Sequence, residues 1–145
     1  MSKINYFFEE IKIFKTALPP KSWMKKCLSK EGWEVGSLNF IFCSDSYLKG
    51  LNKKHLNRSY LTDVISFNFE HPEFLQSTKK NEVFGDVFIS VDRVKENRKL
   101  YNVIFAKELK RVMIHGALHL IGFNDLTKKE RGVMAEKENI YIELK

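Results

Sequence analysis

The chain has 145 residues, 25 of them Lys or Arg and 18 Asp or Glu, for a formal net charge of +7. At 43% hydrophobic, with twelve Phe, five Tyr and two Trp, it carries more apolar area than a disordered chain, and its length suits one domain, residues 1–145, with a sizeable core. No stretch approaches the ~20 apolar residues of a membrane span, no secretory leader follows Met1-Ser2-Lys3, and Cys27 and Cys43 are too few for a disulfide framework or a Cys-based zinc site; they read as buried, reduced thiols.

Asn5 to Phe14 is aromatic and β-branched enough to be an opening strand, closed off by Pro19-Pro20. Lys21 to Lys30 reads as a short helix stopped at Gly32, and Ser37 to Cys43 as a strand. Ser44 or Asp45 caps a helix running to about Leu56. Val64 to Phe69 and Val83 to Val91 are two further strands, with a polar loop containing His71-Pro72 between them. Asp92 caps a short helix to Tyr101, and Asn102 or Val103 opens a long one reaching Ile121 and stopped by Gly122. Thr127 caps a last helix towards Tyr141. Strands mostly early and helices mostly late favour an α+β fold.

The basic balance, with an isoelectric point near 9.4, points towards a polyanionic partner. Lys21, Lys25, Lys26 and Lys30 fall at helical spacing; Lys49, Lys53 and Lys54 do so again with Arg58 close behind; Arg93, Lys95, Arg98 and Lys99 form a third cluster. Several separated basic faces suit a broad phosphate surface better than a small-molecule pocket, although each alone also reads as a solvated helix face.

Chemistry concentrates in Val112 to Gly122, apolar on nearly every side except at His115 and His119. A helix apolar all round is buried, so two imidazoles there need partners. Residues four apart share a helix face with Cβ atoms roughly 5–6 Å apart, which lets both nitrogens ligate one tetrahedral ion, and neutral imidazole suits Zn²⁺. The competing reading is two core histidines bonded to backbone or carboxylate. Gly116, mid-helix, costs about 1 kcal/mol relative to Ala, which implies close approach of a strand or a substrate. Gly122 lets the chain reverse and bring Asn124 or Asp125 back beside the helix end. Asp125 then supplies a third ligand, leaving a fourth position for water as in hydrolytic zinc sites, or else it is a turn residue ahead of Thr127. The position after the first histidine holds Gly116, not the glutamate base of His-Glu-x-x-His metalloproteases, so a zinc peptidase is disfavoured.

The run His115-Gly116-Ala117-Leu118-His119-Leu120-Ile121-Gly122-Phe123-Asn124-Asp125 resembles the His-Gly-x-Leu-His-Leu-x-Gly-Tyr-Asp-His signature of the YbeY family of ribosomal RNA maturation factors. Leu51-Asn52 followed by Leu61 to Phe67, and Gly85 to Ser90, agree with the family in the same order. The resemblance implies a mixed four-stranded sheet with a central buried metal-binding helix and flanking helices. It also implies a cytoplasmic, zinc-dependent, single-strand-specific endoribonuclease that matures ribosomal RNA (16S 3′-end processing), serves ribosome quality control and meets the ribosomal small subunit. No membrane and no small-molecule cofactor are expected. Two positions depart from the family. Asp125 stands where the family has its third histidine ligand, after Asn124 in place of Asp, and an anionic ligand makes a metal-bound water less acidic. Leu56 stands where the family has an arginine, with Arg58 two residues on.

Four further residues are expected near substrate or behind the ligands: Arg58 on phosphate, Thr62 and Asp63 either at a strand mouth facing a cleft or in an ordinary turn, and Asp86, a carboxylate inside an apolar strand, behind a ligand histidine or capping a turn. Gly85 marks a bulge or a close backbone approach. His55 and His71 lie in polar surroundings and read as surface residues. The ligand set, through its metal, is thus His115, His119 and Asp125, with one Zn²⁺ per chain. The alternatives are a ribosome-associated RNA-binding factor with a structural metal and, more weakly, a zinc peptidase.

Overall fold

The computed structural model describes residues 3–56, 63–69 and 81–145. Among these residues the chain forms four strands and five helices: β1 (Lys3–Glu9), α1 (Lys21–Lys30), β2 (Glu34–Cys43), α2 (Asp45–Leu56), β3 (Val64–Asn68), β4 (Glu82–Ser90), α3 (Val91–Leu100), α4 (Phe105–Leu120) and α5 (Lys128–Ile142). The sheet order is β1-β2-β4-β3, with β1, β2 and β4 parallel and β3 antiparallel to β4. This is the mixed four-stranded α+β arrangement expected.

Strand alternation divides the sheet into two faces. Ile4, Leu38, Gly85, Val87, Val64 and Ser66 share one face by register, and α4 lies on it. Its core joins Phe40, Phe42 and Ile89 to Trp23 and Met24 of α1, Leu109, Met113 and Ala117 of α4, and Met134 and Tyr141 of α5. Trp23 donates its indole N–H to the Tyr141 carbonyl at 2.8 Å, tying the first helix to the last. On the opposite face α2 packs Tyr47, Leu48 and Leu51 against Ile65, Phe67 and Phe88. Cys27 and Cys43 are buried and unpaired, and burial pushes both thiols up to about 12, so they remain inert.

Several boundaries differ from the sequence reading, β2 starting at Glu34 instead of Ser37 among them, and three have a clear local reason. β1 stops at Glu9 instead of Phe14 because Glu10 takes a left-handed φ of 58° and turns the chain off the sheet edge. α3 is capped by Ser90, whose hydroxyl accepts from the Arg93 amide, not by Asp92; the Asp92 carboxylate accepts from the Asp45 amide at the start of α2. α4 begins at Phe105 because Asn102, at φ 54°, closes α3: its amide bonds the Lys99 carbonyl and Val103 the Arg98 carbonyl. Ser44 caps α2 by accepting from the Tyr47 amide, and Thr127 caps α5 in a reciprocal box with Glu130, both as read.

Gly116 is where α4 meets the sheet. A Cβ there would lie 2.5 Å from Val87 Cγ1 and 3.0 Å from Val64 Cγ2, while the Gly116 carbonyl accepts from the Ser66 hydroxyl at 2.9 Å. Gly116→Ala is therefore expected to lose stability by about 1–2 kcal/mol, overpacking against a stiff β-branched side chain outweighing the ~1 kcal/mol gained in helix propensity. Thermal unfolding checks this: an unchanged or raised melting temperature would mean that the sheet yields freely. Gly85 likewise serves close approach, below Leu120; the bulge lies in β2, between Val35 and Ser37.

Candidate metal centre

The site grows from the last two turns of α4. His115 and His119, one turn apart, bring their Nε2 atoms to 3.1 Å from each other. Gly122, at φ 105°, ends the helix: its amide bonds the His119 carbonyl and the Phe123 amide bonds Leu118. That reversal returns Asp125 to the same helix face, where its Oδ2 lies 3.2 Å from His115 Nε2 and 3.3 Å from His119 Nε2. His115, His119 and Asp125 are thus brought together, each half-buried.

These three atoms form a nearly equilateral triangle, and its dimensions fit a metal ion. Donors about 2.0–2.1 Å from a tetrahedral centre stand about 3.3–3.4 Å apart. His115 Nδ1 lies 2.6 Å from Glu138 Oε2, so the neutral ring donates there and leaves Nε2 with a lone pair. That lone pair faces the Asp125 carboxylate and the second imidazole. Such converging acceptors repel one another unless a cation sits between them. Burial alone pushes the His115 imidazole down, but the Glu138 hydrogen bond and the carboxylates of Glu138, Asp63 and Asp125 hold it above its ordinary value. The triad attracts positive charge, whether proton or metal.

Sequence reasoning missed what stands behind His115. Glu138 of α5 is 6% exposed, and Arg111 Nη1 lies 3.2 Å from its Oε1. Arg111 Nε in turn lies 3.4 Å from Oε1 of Glu108, a residue 1% exposed whose carboxyl burial pushes up while Arg111 partly opposes it. The signal was available: Met134, Glu138 and Tyr141 fall on one buried stripe of α5, where an acid needs a partner.

The other expected residues disperse. Asp63 enters the same cleft from the start of β3; its Oδ2 accepts from Asn97 at 3.2 Å and its carbonyl from the Ser90 amide, and burial raises its carboxyl above the ordinary range. Asp86 is not behind a histidine. It follows Gly85 and precedes Val87, so alternation turns it to the α2 face, where it accepts from Asn39, which accepts from Asn5. Arg58, Thr62 and His71 lie outside the described residues. The lysines of α1 and of α2, with Lys95 and Lys99 of α3, are exposed, whereas Arg93 is held by Asp45 at 3.0 Å.

The fold and the site together define a class: an α+β enzyme whose central helix carries a triad able to hold one metal ion. Residues 7–144 match the family described as Endoribonuclease YbeY. The Endoribonuclease YbeY of Karelsulcia muelleri is 42% identical over 139 residues, covering 96% of this chain and 93% of its own length. That of Christiangramia forsetii is 38% identical over 142 residues, covering 98% and 94%. The solution structure of TM1509 from Thermotoga maritima aligns with a TM-score of 0.64 at 28% identity, over 95% of this chain and 87% of that one. The chain belongs to the YbeY family and is an endoribonuclease, a nuclease acting on RNA.

Proposed function

We propose that residues 1–145 act as one domain, a zinc-dependent, single-strand-specific endoribonuclease that matures ribosomal RNA, including the 16S 3′ end. In this reading it also takes part in ribosome quality control and works in the cytoplasm on the small subunit. The triangle of His115, His119 and Asp125, with Glu138 behind it, carries the reading. When bound, one Zn²⁺ supplies Lewis acidity towards a phosphoryl oxygen and lowers the pKa of a water in the open fourth position towards ~7. His115 and His119 would hold the ion through Nε2 and Asp125 through Oδ2. Glu138 keeps the His115 proton on Nδ1, which fixes the ring and its tautomer. Arg131, exposed where it lines the adjoining cleft, offers a cation to phosphate, while Arg111 is held by Glu138 and Glu108. The exposed lysines of α1 (Lys21, Lys25, Lys26 and Lys30), together with Lys49, Lys53 and Lys54 of α2, hold the RNA backbone further out; α1 contains no acid to compensate its charge.

The other reading, an RNA-binding factor with a structural metal, separates cleanly by experiment. The core closes through Trp23, Phe40, Met113 and Tyr141 without using the triad. Chelation is therefore expected to abolish cleavage of a single-stranded RNA while leaving RNA binding that weakens steeply with added salt, and to lower the melting temperature only slightly. If folding and binding collapse together on chelation, the metal is structural, and the nuclease mechanism above is wrong.

A further inference from the structure

Beside the metal triad lies a cleft of about 240 Å³ between α3, α4 and α5, one wall of which is His115 itself. It shares His115 and Asp125 with the triad, and Glu108, Arg111, Arg131 and Glu138 add charge to its lining. Val112 and Met134 form an apolar wall; Tyr101, 62% exposed at the end of α3, stands at the rim; Asp63 and Asn97 form a polar floor. A small cavity with an apolar wall, an aromatic ring and a few fixed polar atoms is built for a planar, polar-edged ligand.

We propose that this cleft holds one unpaired base of the RNA, next to the phosphate that is cut. The proposal rests on the nuclease reading and deepens it by naming what the substrate must present. The tyrosine ring offers the stacking surface on which single-strand binders hold bases. A base can enter only if it leaves its neighbours and its pairing partner, so preference for single strands follows from the shape of the site. Asn97 spends one amide proton on Asp63 Oδ2, which fixes both side chains as the polar floor against which the edge of a base is set.

Ala135 provides the test. It lines the cleft from the exposed side of α5 and is no part of the buried core, so bulk added there leaves the core packing in place. Ala135→Trp is expected to fill the cleft, weakening affinity for a short single-stranded RNA about 10-fold while metal content and melting temperature stay at wild-type values. Tyr101→Ala, at an exposed rim position, should weaken binding about as much by loss of stacking. The probe is a ten-nucleotide RNA carrying 2-aminopurine at successive positions: one position should change its emission on binding wild-type protein and lose that change with Ala135→Trp. Emission changes shared equally by all positions, or full affinity in both variants, would overturn the base pocket. If instead the position-specific signal appears but metal-loaded protein cuts no RNA, the pocket stands and the nuclease reading falls.

Discussion

His119→Ala should purify with almost no bound metal, against near-unit stoichiometry for the wild-type chain, and should not cut RNA. The remaining pair, His115 Nε2 and Asp125 Oδ2 at 3.2 Å, offers only two donors, too few for a closed or a hydrolytic zinc site. Because half-buried His119 contributes no core packing beyond its own helix end, the melting temperature of the metal-free forms should match within a few degrees. Asp125 makes the assignment sharper. Zn–N and Zn–O bonds differ by only about 0.1 Å, and the turn at Gly122 holds position 125 against the helix whatever its side chain. Asp125→His should therefore keep its metal, whereas Asp125→Ala should lose affinity by orders of magnitude. Metal analysis after dialysis reads all three variants. Unchanged metal in His119→Ala, or equal retention in both position-125 variants, would place the ligands elsewhere.

How far the site could be read in advance follows the range of its interactions. His115, His119 and Asp125 lie within eleven residues, and helix periodicity followed by a glycine reversal is enough to bring them together. Glu138 comes from another helix, and its approach to His115 depends on how α5 packs on α4, which periodicity within α4 does not reveal. Asp86 shows the opposite failure. Its parity with Gly85 already contained the answer, since a glycine kept for close approach to a helix puts the next side chain on the other face. The strands and helices themselves were legible because their periodicity and caps agree with their packing. Among the boundaries that moved are those where a non-glycine residue, Glu10 or Asn102, adopts a left-handed φ, or where Ser90 competes with Asp92 for a cap. Residue type alone ranks those choices poorly.

Glu138→Ala is the second substitution with a large expected effect, and it tests whether the buried acid positions the ligand or only fills space. Glu138 accepts the His115 Nδ1 proton at 2.6 Å and Arg111 at 3.2 Å. Removing it frees the imidazole to rotate or change tautomer, and leaves Arg111 facing Glu108 and Asn139. Outer partners of this kind are worth about 10–100-fold in metal affinity, while the partly exposed donors of His115 and Arg111 can turn to water, which limits the loss of stability. Glu138→Gln keeps an acceptor oxygen for Nδ1–H but not the charge, so its metal affinity should fall between wild type and Glu138→Ala. The measurement is a zinc titration against a competing chelator, well below the melting temperature of either variant. A structural role alone would lower melting temperature in proportion to lost packing and leave the zinc dissociation constant unchanged. A positioning role moves the dissociation constant in the order wild type, Gln, Ala, and lets added zinc restore cleavage in the weaker binders. Two variants that melt earlier yet bind zinc as tightly as wild type would reduce Glu138 to a packing residue and leave His115 to be oriented by α4 alone.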